Sequence, residues 1–381
     1  MESYNKVILS IGSNQGDRLR NLTNCIELVH NQIGTVIQVS RAYQSPAWGF
    51  VSEPFYNAAL LIHTPFNAEV ILTKIKIIEQ ELGRVRNQTE GYQPRTIDID
   101  IIDFNQQIIE TPSLQIPHPQ MHHRLFVLKP MQDLQIDWQH PTIKKPLNDL
   151  VMNCSDNSNL EIISGLKNPI HDFKLHNCNY ISIEGNIGAG KTTLSTRISE
   201  DFNAKLILER FADNPFLPKF YNDPVRYAFP LEVSFLTDRY KQLTDDLSQF
   251  DLFKDFVITD YHIFKSLIFA KVTLGEDEYK LYKNMFDIMY KEMPKPDLYV
   301  YLYQNPERLL KNIKLRGRSY EQDIKSDYLE RINQGYLDYI KTQTDLNSII
   351  IDVSEYDFVE RQEDYITILN LIQNKLKERT K

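Results

Sequence analysis

The segment Gly185-Asn186-Ile187-Gly188-Ala189-Gly190-Lys191-Thr192 matches G-x-x-x-x-G-K-[ST], and it joins an apolar run at 180–184 to an amphipathic stretch that opens at Lys191. A strand that feeds a glycine-rich turn and then a helix aims several backbone N–H groups at one spot, where they can cradle phosphate oxygens. Gly185, Gly188 and Gly190 let the backbone come close, with Asn186 and Ala189 completing the cradle. Lys191 would neutralise β- and γ-oxygens, and the Thr192 hydroxyl would ligate Mg²⁺. Short apolar runs follow at 205–209, 256–260, 297–303 and 348–353, separated by long helical stretches. That alternation predicts a parallel sheet covered by helices on both faces.

The first half carries a different order. Residues 7–11, 36–43, 55–63 and 96–104 read as strands. Leu19, Leu22, Ile26, Val29 and Ile33 mark one helix, with Asp17 as N-cap, and Val70, Ile71, Ile75, Ile78 and Leu82 mark another. The sequence β-α-β-β-α-β is that of a split βαβ sandwich. The expected architecture is therefore a two-domain α+β and α/β chain: a ferredoxin-like α+β sandwich, then a P-loop NTPase parallel sheet flanked by helices. Polar turn formers at 153–159 and again at 167–179 mark the seam. This places a first domain at 1–152, a linker at 153–178 and a second domain at 179–381.

Composition narrows the partners. A chain of 381 residues suggests two or three domains, and 42% apolar with 25% charged residues excludes a wholly disordered or collagen-like chain. No run approaches the ~18 apolar residues of a membrane span. The N-terminus does not read as a secretory signal, and Cys25, Cys154 and Cys178 are odd in number and widely spaced, as suits a reduced, cytoplasmic setting. The net charge of −8 is spread over both halves, −3 in residues 1–160 and −5 in the remainder, with no dense basic block. Neither nucleic acid nor a membrane is expected as a partner, whereas anionic small molecules held by local arginines are compatible with that balance.

In Pro94-Arg95-Thr96-Ile97-Asp98-Ile99-Asp100-Ile101, strand alternation sends Asp98 and Asp100 to one face and the isoleucines to the core. Two carboxylates ~7 Å apart along a strand can ligate one Mg²⁺ or bridge two, although a solvated strand face would show the same pattern. The neighbourhood favours the metal: Arg84 and Arg86 end the preceding helix, Arg95 follows a short loop, and His118 and Arg124 come later.

Ile11-Gly12-Ser13-Asn14, Phe55-Tyr56-Asn57-Ala58, Gly83-Arg84-Val85-Arg86, the Pro94–Asp100 segment and Pro117-His118 together resemble the 6-hydroxymethyl-7,8-dihydropterin pyrophosphokinase family over residues 5–150. The resemblance implies transfer of pyrophosphate from ATP, a co-substrate, to a pterin hydroxymethyl group in folate synthesis, with release of AMP. By the same resemblance Asp98 and Asp100 hold Mg²⁺, and Arg84, Arg86, Arg95, His118 and Arg124 neutralise the phosphates. Asn57 reads the pterin edge, Phe126 stacks on its ring, and Ser45, Pro46 and their neighbours to Gly49 line the pocket. Tyr92 stands where the family often has Trp, in a polar loop over 87–93 expected to close over ATP.

The second half resembles the deoxynucleoside kinase family over 179–345, through the P-loop, Glu209-Arg210-Phe211-Ala212-Asp213-Asn214-Pro215, Tyr221 and Leu315-Arg316-Gly317-Arg318-Ser319-Tyr320-Glu321. The resemblance implies a homodimer, with Glu209 as base for the 5′-hydroxyl. It makes Arg316 and Arg318 lid cations, assigns Tyr221 and Glu321 to the sugar 3′-hydroxyl, and has Asp260 supporting Mg²⁺. Two departures stand out. The family's acidic-Arg-Ser triplet is Asp260-Tyr261-His262 here, and Arg210 cannot supply the missing guanidinium because strand neighbours face opposite ways. The base-reading Gln is Glu232, an acceptor-only group when ionised, which suits guanine and disfavours adenine. The expected chain is a bifunctional ATP-using kinase acting on small molecules. The alternative is a second half that is a catalytically inactive nucleotide-binding or dimerising module.

Overall fold

The computed structural model describes residues 4–49, 51–84, 93–210, 214–249, 251–291, 293–318 and 321–379, with Tyr221 described by its backbone alone. The chain divides into two compact units, Met1–Phe173 with Phe358–Ile366, and Lys174–Asp357 with Thr367–Lys381.

The first unit runs β1 (Asn5–Ser13), α1 (Arg18–Gln32), β2 (Thr35–Val39), β3 (Ala42–Ser45), β4 (Phe55–Thr64), α2 (Ala68–Glu81), β5 (Asp98–Phe104), β6 (Ile109–Glu110), β7 (Gln115–Ile116), α3 (Leu125–Asp133), α4 (Leu147–Met152) and β8 (Glu161–Ser164). Its main sheet is ordered β5-β1-β4-β3-β8, with β2 also on β4, and its pairs are antiparallel. Asp17 caps α1 as expected, accepting the Arg20 N–H at 3.1 Å. The run expected as one strand over 36–43 breaks in two at Ser40, whose hydroxyl is occupied by the Ala59 N–H at 2.8 Å.

One face of this sheet, carrying Val7, Leu9, Ile11, Ile99 and Ile101, packs on α1 and α2. The other, carrying Ile8, Ala59 and Ile102, packs on α3 and α4. Further along β1 that second face presents Ser10 and Gly12 beside Asp100 and Asp98, and there it opens into a cleft. The stretch expected as a linker at 153–178 differs from expectation. It contributes β8, an added edge strand on β3, while Asp156 accepts the Leu125 N–H and Asn168 donates to the Ile37 carbonyl. Scattered polar anchors of this kind carry no periodicity, so nothing in the local sequence announced them.

The second unit runs β9 (Tyr180–Gly185), α5 (Lys191–Asp201), β10 (Lys205–Ile207), α6 (Leu217–Asn222), α7 (Pro224–Ser248), β11 (Val257–Thr259), α8 (Phe264–Thr273), α9 (Glu276–Tyr290), β12 (Leu298–Tyr303), α10 (Pro306–Arg316), α11 (Ser326–Thr342), β13 (Ser348–Asp352) and α12 (Gln362–Arg379), the last continuing from the first unit's Phe358–Ile366 segment. All pairs in the sheet β10-β11-β9-β12-β13 are parallel. The chain leaves β9 toward β10 and β11 on one side and reaches β12 on the other. That reversal opens a crevice beyond the carboxyl end of β9, where an open parallel sheet binds its ligands. Among the described residues no helix is long and apolar enough to cross a membrane.

Candidate active sites

In the first unit the registers Gly12↔Asn57 and Gly12↔Asp98 put a glycine between the two functional strands. A Cβ at position 12 would stand 2.9 Å from Asn57 Oδ1, so a side chain there would push the amide away. Gly12→Ala is expected to cost about 1–3 kcal/mol through this crowding. The chain's tryptophans, Trp48 and Trp138, both lie in the first unit, so denaturant unfolding followed by tryptophan fluorescence reads that loss. Asn57 itself is buried and donates from Nδ2 to Ser45 Oγ at 2.9 Å, which leaves Oδ1 facing the cleft.

The carboxylates are arranged as alternation demands, with Ile97, Ile99 and Ile101 buried behind them. Asp98 Oδ1 accepts from Arg84 Nη1 at 2.6 Å and Oδ2 from Arg95 Nη1 at 2.7 Å. Arg84 is also gripped by Glu79, a buried carboxylate on α2 that accepts the Ile99 N–H at 3.1 Å. Glu79 thus ties the helix end to β5 and sets the arginine. Asn14 does the same for Arg95, accepting its backbone N–H at 2.7 Å. Asp100 has no such clamp: burial, then the charge of Asp98, push its carboxyl up to about 7, against the pull of Arg124 and Arg95. Among the described residues no cluster of three or more His, Cys, Asp and Glu forms a metal cage. A divalent ion here would rely on two carboxylates plus substrate phosphates, the usual arrangement for Mg²⁺.

The cleft is lined by Ser45, Pro46, Trp48, Asn57, Arg95, Asp98, Asp100, Arg124 and Phe126, all within the residues and the 45–49 stretch that sequence reasoning assigned to the site, and by Ser10, Gly12 and Phe55, which it did not. Trp48 and Phe126 lie with ring centroids 6.2 Å apart and planes tilted by 56°, forming an aromatic corner of the cleft. The only signal for Trp48 was its place within the backbone stretch 45–49. His118 is half-buried, and burial first, then Arg124, hold its imidazole below the ordinary histidine value. Its Nδ1 accepts the Gln120 N–H at 3.2 Å, so the neutral ring carries its proton on Nε2. Arg86 and most of the 87–93 loop lie outside the described residues.

In the second unit Gly188 and Gly190 adopt φ +82° and +85°, left-handed conformations that fold the P-loop back over α5. The Asn186 side chain anchors the loop from below: its Nδ2 donates to the Leu329 carbonyl at 2.7 Å and to Asn333 Oδ1 at 2.8 Å. Lys191 donates to the Asn186 carbonyl at 2.8 Å, and burial, aided by Lys265, pushes its ammonium down to about 8. Thr192 donates to Asp260 Oδ2, while Asp260 Oδ1 accepts the Glu209 N–H at 2.8 Å. Asp260 therefore ties the P-loop to the residue expected to act as base.

Glu209 answers the question of the missing arginine. Its Oε1 is held by Arg239 Nη2 at 2.7 Å and its Oε2 by Lys265 Nζ at 2.6 Å, all three side chains being nearly buried. Burial alone would raise this carboxyl, but Lys265 and Arg239 outweigh it and hold Glu209 well below the usual carboxylate range. Arg239 comes from α7, well before the 260–262 stretch, whereas Lys265 sits in the first turn of α8, three residues beyond His262; only folding brings the two together on Glu209. The run expected as a strand over 205–209 ends at Ile207, so alternation does not govern Arg210; its side chain is nonetheless turned away from Glu209, 76% exposed and facing Asp246.

These groups line an open cleft with Glu232, Arg316, Arg318 and Glu321. Glu321, buried, lies 3.2 Å from Arg318 and 3.9 Å from Arg316, so it gathers both lid arginines. Tyr221 lies on α6, with its side chain outside the description.

Comparison with known proteins agrees with both clefts. The family model described as deoxynucleoside kinase matches residues 181–377, and that described as 7,8-dihydro-6-hydroxymethylpterin-pyrophosphokinase matches residues 8–136. The chain is 39% identical over 190 residues to a deoxyguanosine kinase of Bacillus subtilis, covering 49% of this chain and 92% of that protein. It is 38% identical over 143 residues to a 2-amino-4-hydroxy-6-hydroxymethyldihydropteridine pyrophosphokinase of Porphyromonas gingivalis, covering 37% of this chain and 97% of that one. A solved structure of deoxyadenosine kinase from M. mycoides with bound dATP aligns at 28% identity and a TM-score of 0.45, over 52% of this chain and 99% of that one. The chain therefore belongs to two families at once, being a 7,8-dihydro-6-hydroxymethylpterin pyrophosphokinase in its first unit and a deoxynucleoside kinase in its second.

Proposed function

We propose that the first unit moves pyrophosphate from ATP to 6-hydroxymethyl-7,8-dihydropterin, releasing AMP. In the same reading the second unit moves one phosphoryl group from ATP to the 5′-hydroxyl of a deoxynucleoside, deoxyguanosine foremost, releasing ADP. The observation that carries the second half of this reading is the ionised Glu209 held between Arg239 and Lys265 beside Lys191 and Thr192. An inactive module would have no use for a buried carboxylate kept charged at the mouth of a phosphate cradle.

In the first unit Asp98 and Asp100 fit Mg²⁺, since a cation between them would offset both the burial and the repulsion from Asp98 that raise Asp100. Bound there, the metal supplies charge neutralisation across the ATP phosphates. Arg84, Arg86, Arg95 and Arg124 neutralise phosphate oxygens, and His118 donates from Nε2. Phe126 stacks on the pterin ring with Trp48 against its edge and Pro46 and the buried Ser45 flanking it, while Asn57 Oδ1 accepts from its N–H edge. Nothing more is needed for in-line transfer, which is chiefly a matter of positioning and charge.

In the second unit the P-loop backbone and Lys191 hold the triphosphate, and Thr192 with Asp260 would hold Mg²⁺. Glu209 orients the 5′-hydroxyl and accepts its proton. Arg316 and Arg318 close on the transferring group when Glu321 turns with Tyr221 to the sugar 3′-hydroxyl. Glu232 faces the base. A homodimer formed through the second unit, in the cytoplasm and without nucleic acid, completes the reading.

Product analysis tests it directly. Pterin-dependent turnover is expected to yield AMP and nucleoside-dependent turnover ADP, and titration with a non-hydrolysable ATP analogue and Mg²⁺ is expected to fill two positions per chain. Lys191→Ala is expected to lower ADP release about a hundredfold or more while AMP release stays unchanged. Unaltered ADP release in that variant would remove the P-loop from the chemistry.

A further inference from the structure

Glu232, on α7, is 3% exposed and lines the second cleft beside Leu231, Phe235 and Phe269. Its Oε1 accepts from the Thr273 hydroxyl at 2.9 Å, while Tyr282 of α9 donates to its backbone carbonyl instead of its carboxyl. Oε2 is buried with no hydrogen-bond partner. Leaving a buried polar atom unmatched costs ~1–3 kcal/mol, a penalty that a ligand hydrogen bond at Oε2 would remove.

The charged groups around it are occupied with each other. Arg239, two turns along α7, and Lys265 of α8 are both bound to Glu209, and the lid arginines Arg316 and Arg318 face Glu321. With no ion pair of its own, Glu232 is governed by burial, which pushes its carboxyl up to about 7 against the weaker pull of Arg239, the Thr273 hydroxyl and Lys265. Both protonation states are populated near neutrality. The single Thr273 hydroxyl proton is shared between Oε1 at 2.9 Å and the Phe269 carbonyl at 3.0 Å; when it points to Oε1, a proton on the carboxyl sits on Oε2, the oxygen left without a partner.

We propose that the proton on Glu232 Oε2 decides which purine edge the cleft accepts. The ionised carboxylate takes two adjacent N–H donors, as guanine presents at N1 and its 2-amino group. The protonated acid donates from Oε2 to an acceptor and receives an N–H at Oε1, matching adenine N1 and its 6-amino group. One residue thus serves both purine deoxynucleosides, in a ratio set by pH. The proposal rests on the reading of the second unit as a deoxynucleoside kinase, and it deepens that reading from substrate class to base.

The test is the ratio of kcat/KM for deoxyguanosine over deoxyadenosine, from ADP release by the full chain. Both substrates meet the same Glu209, Lys191 and lid arginines, so the titration of those groups cancels in the ratio. Because the ratio of ionised to protonated Glu232 rises tenfold per pH unit, the kcat/KM ratio is expected to climb by up to about tenfold per pH unit through neutrality, flattening only where the disfavoured form of the carboxyl supplies the remaining turnover. Glu232→Gln, which keeps a donor and an acceptor but cannot ionise, is expected to flatten the profile and shift preference toward deoxyadenosine. A flat ratio in the active wild-type chain, or a slope that survives Glu232→Gln, overturns the proposal alone. Absence of ADP with every deoxynucleoside overturns the kinase reading beneath it. The wild-type profile decides the matter even if the variant fails to fold.

Discussion

Asp98→Asn is expected to reduce AMP release about a thousandfold, equivalent to about 4 kcal/mol of lost charge stabilisation, while ADP release is unaffected. The size of the effect follows from how many tasks converge on one carboxylate. In the proposed reading Asp98 shares a metal with Asp100, and its two oxygens separately orient Arg84 and Arg95. An amide keeps one acceptor and turns an NH₂ donor toward an arginine, so one guanidinium loses its anchor and meets a like partner. Asp100 changes as well: freed of the neighbouring negative charge, its carboxyl is expected to fall from about 7 toward its ordinary value. A coupled assay for AMP checks the rate. A loss below about threefold would place the metal elsewhere.

Glu209→Gln carries the second large effect, on two quantities. Losing the group that takes the 5′-hydroxyl proton is expected to cost ~10²–10⁴-fold in ADP release. It also strips Arg239 and Lys265 of their common counter-ion in a nearly buried place. Breaking a buried pair by removing one partner costs ~3–5 kcal/mol, because an uncompensated charge is left behind. Thermal unfolding followed by circular dichroism is expected to show an earlier transition for the second unit, with first-unit tryptophan fluorescence unchanged. The sign of the pH dependence is fixed by the same contacts. A carboxyl held below its unfolded value adds stability that is complete above the usual carboxylate range and is lost as pH falls through the folded value. The variant is therefore expected to converge on the wild type only in strong acid.

Much of the site could be read before folding, where the signal is local. The P-loop turn, the facing carboxylates of β5 and the Asp17 cap each depend on residues within a few positions of one another, and backbone geometry alone fixes their relation. The order of strands and helices likewise predicted a split sandwich and a parallel sheet, because period and length are written into each segment. The linker and the strand over 36–43 failed for the complementary reason: Asp156, Asn168 and Ser40 are single polar anchors whose partners lie far along the chain.

The chemistry that depends on charge state belonged to the tertiary structure. Asp260-Tyr261-His262 read as the loss of a guanidinium, yet α7 and α8 bring Arg239 and Lys265 to the same carboxylate. Glu232 read as an acceptor-only group, yet burial beside Thr273 and away from any free cation makes it able to hold a proton. Residue types and their spacing along the chain determined which two reactions this protein can carry. The state in which Glu209, Glu232, Asp100 and His118 enter those reactions was decided by desolvation and by charges from distant elements, which exist only once the chain has closed around them.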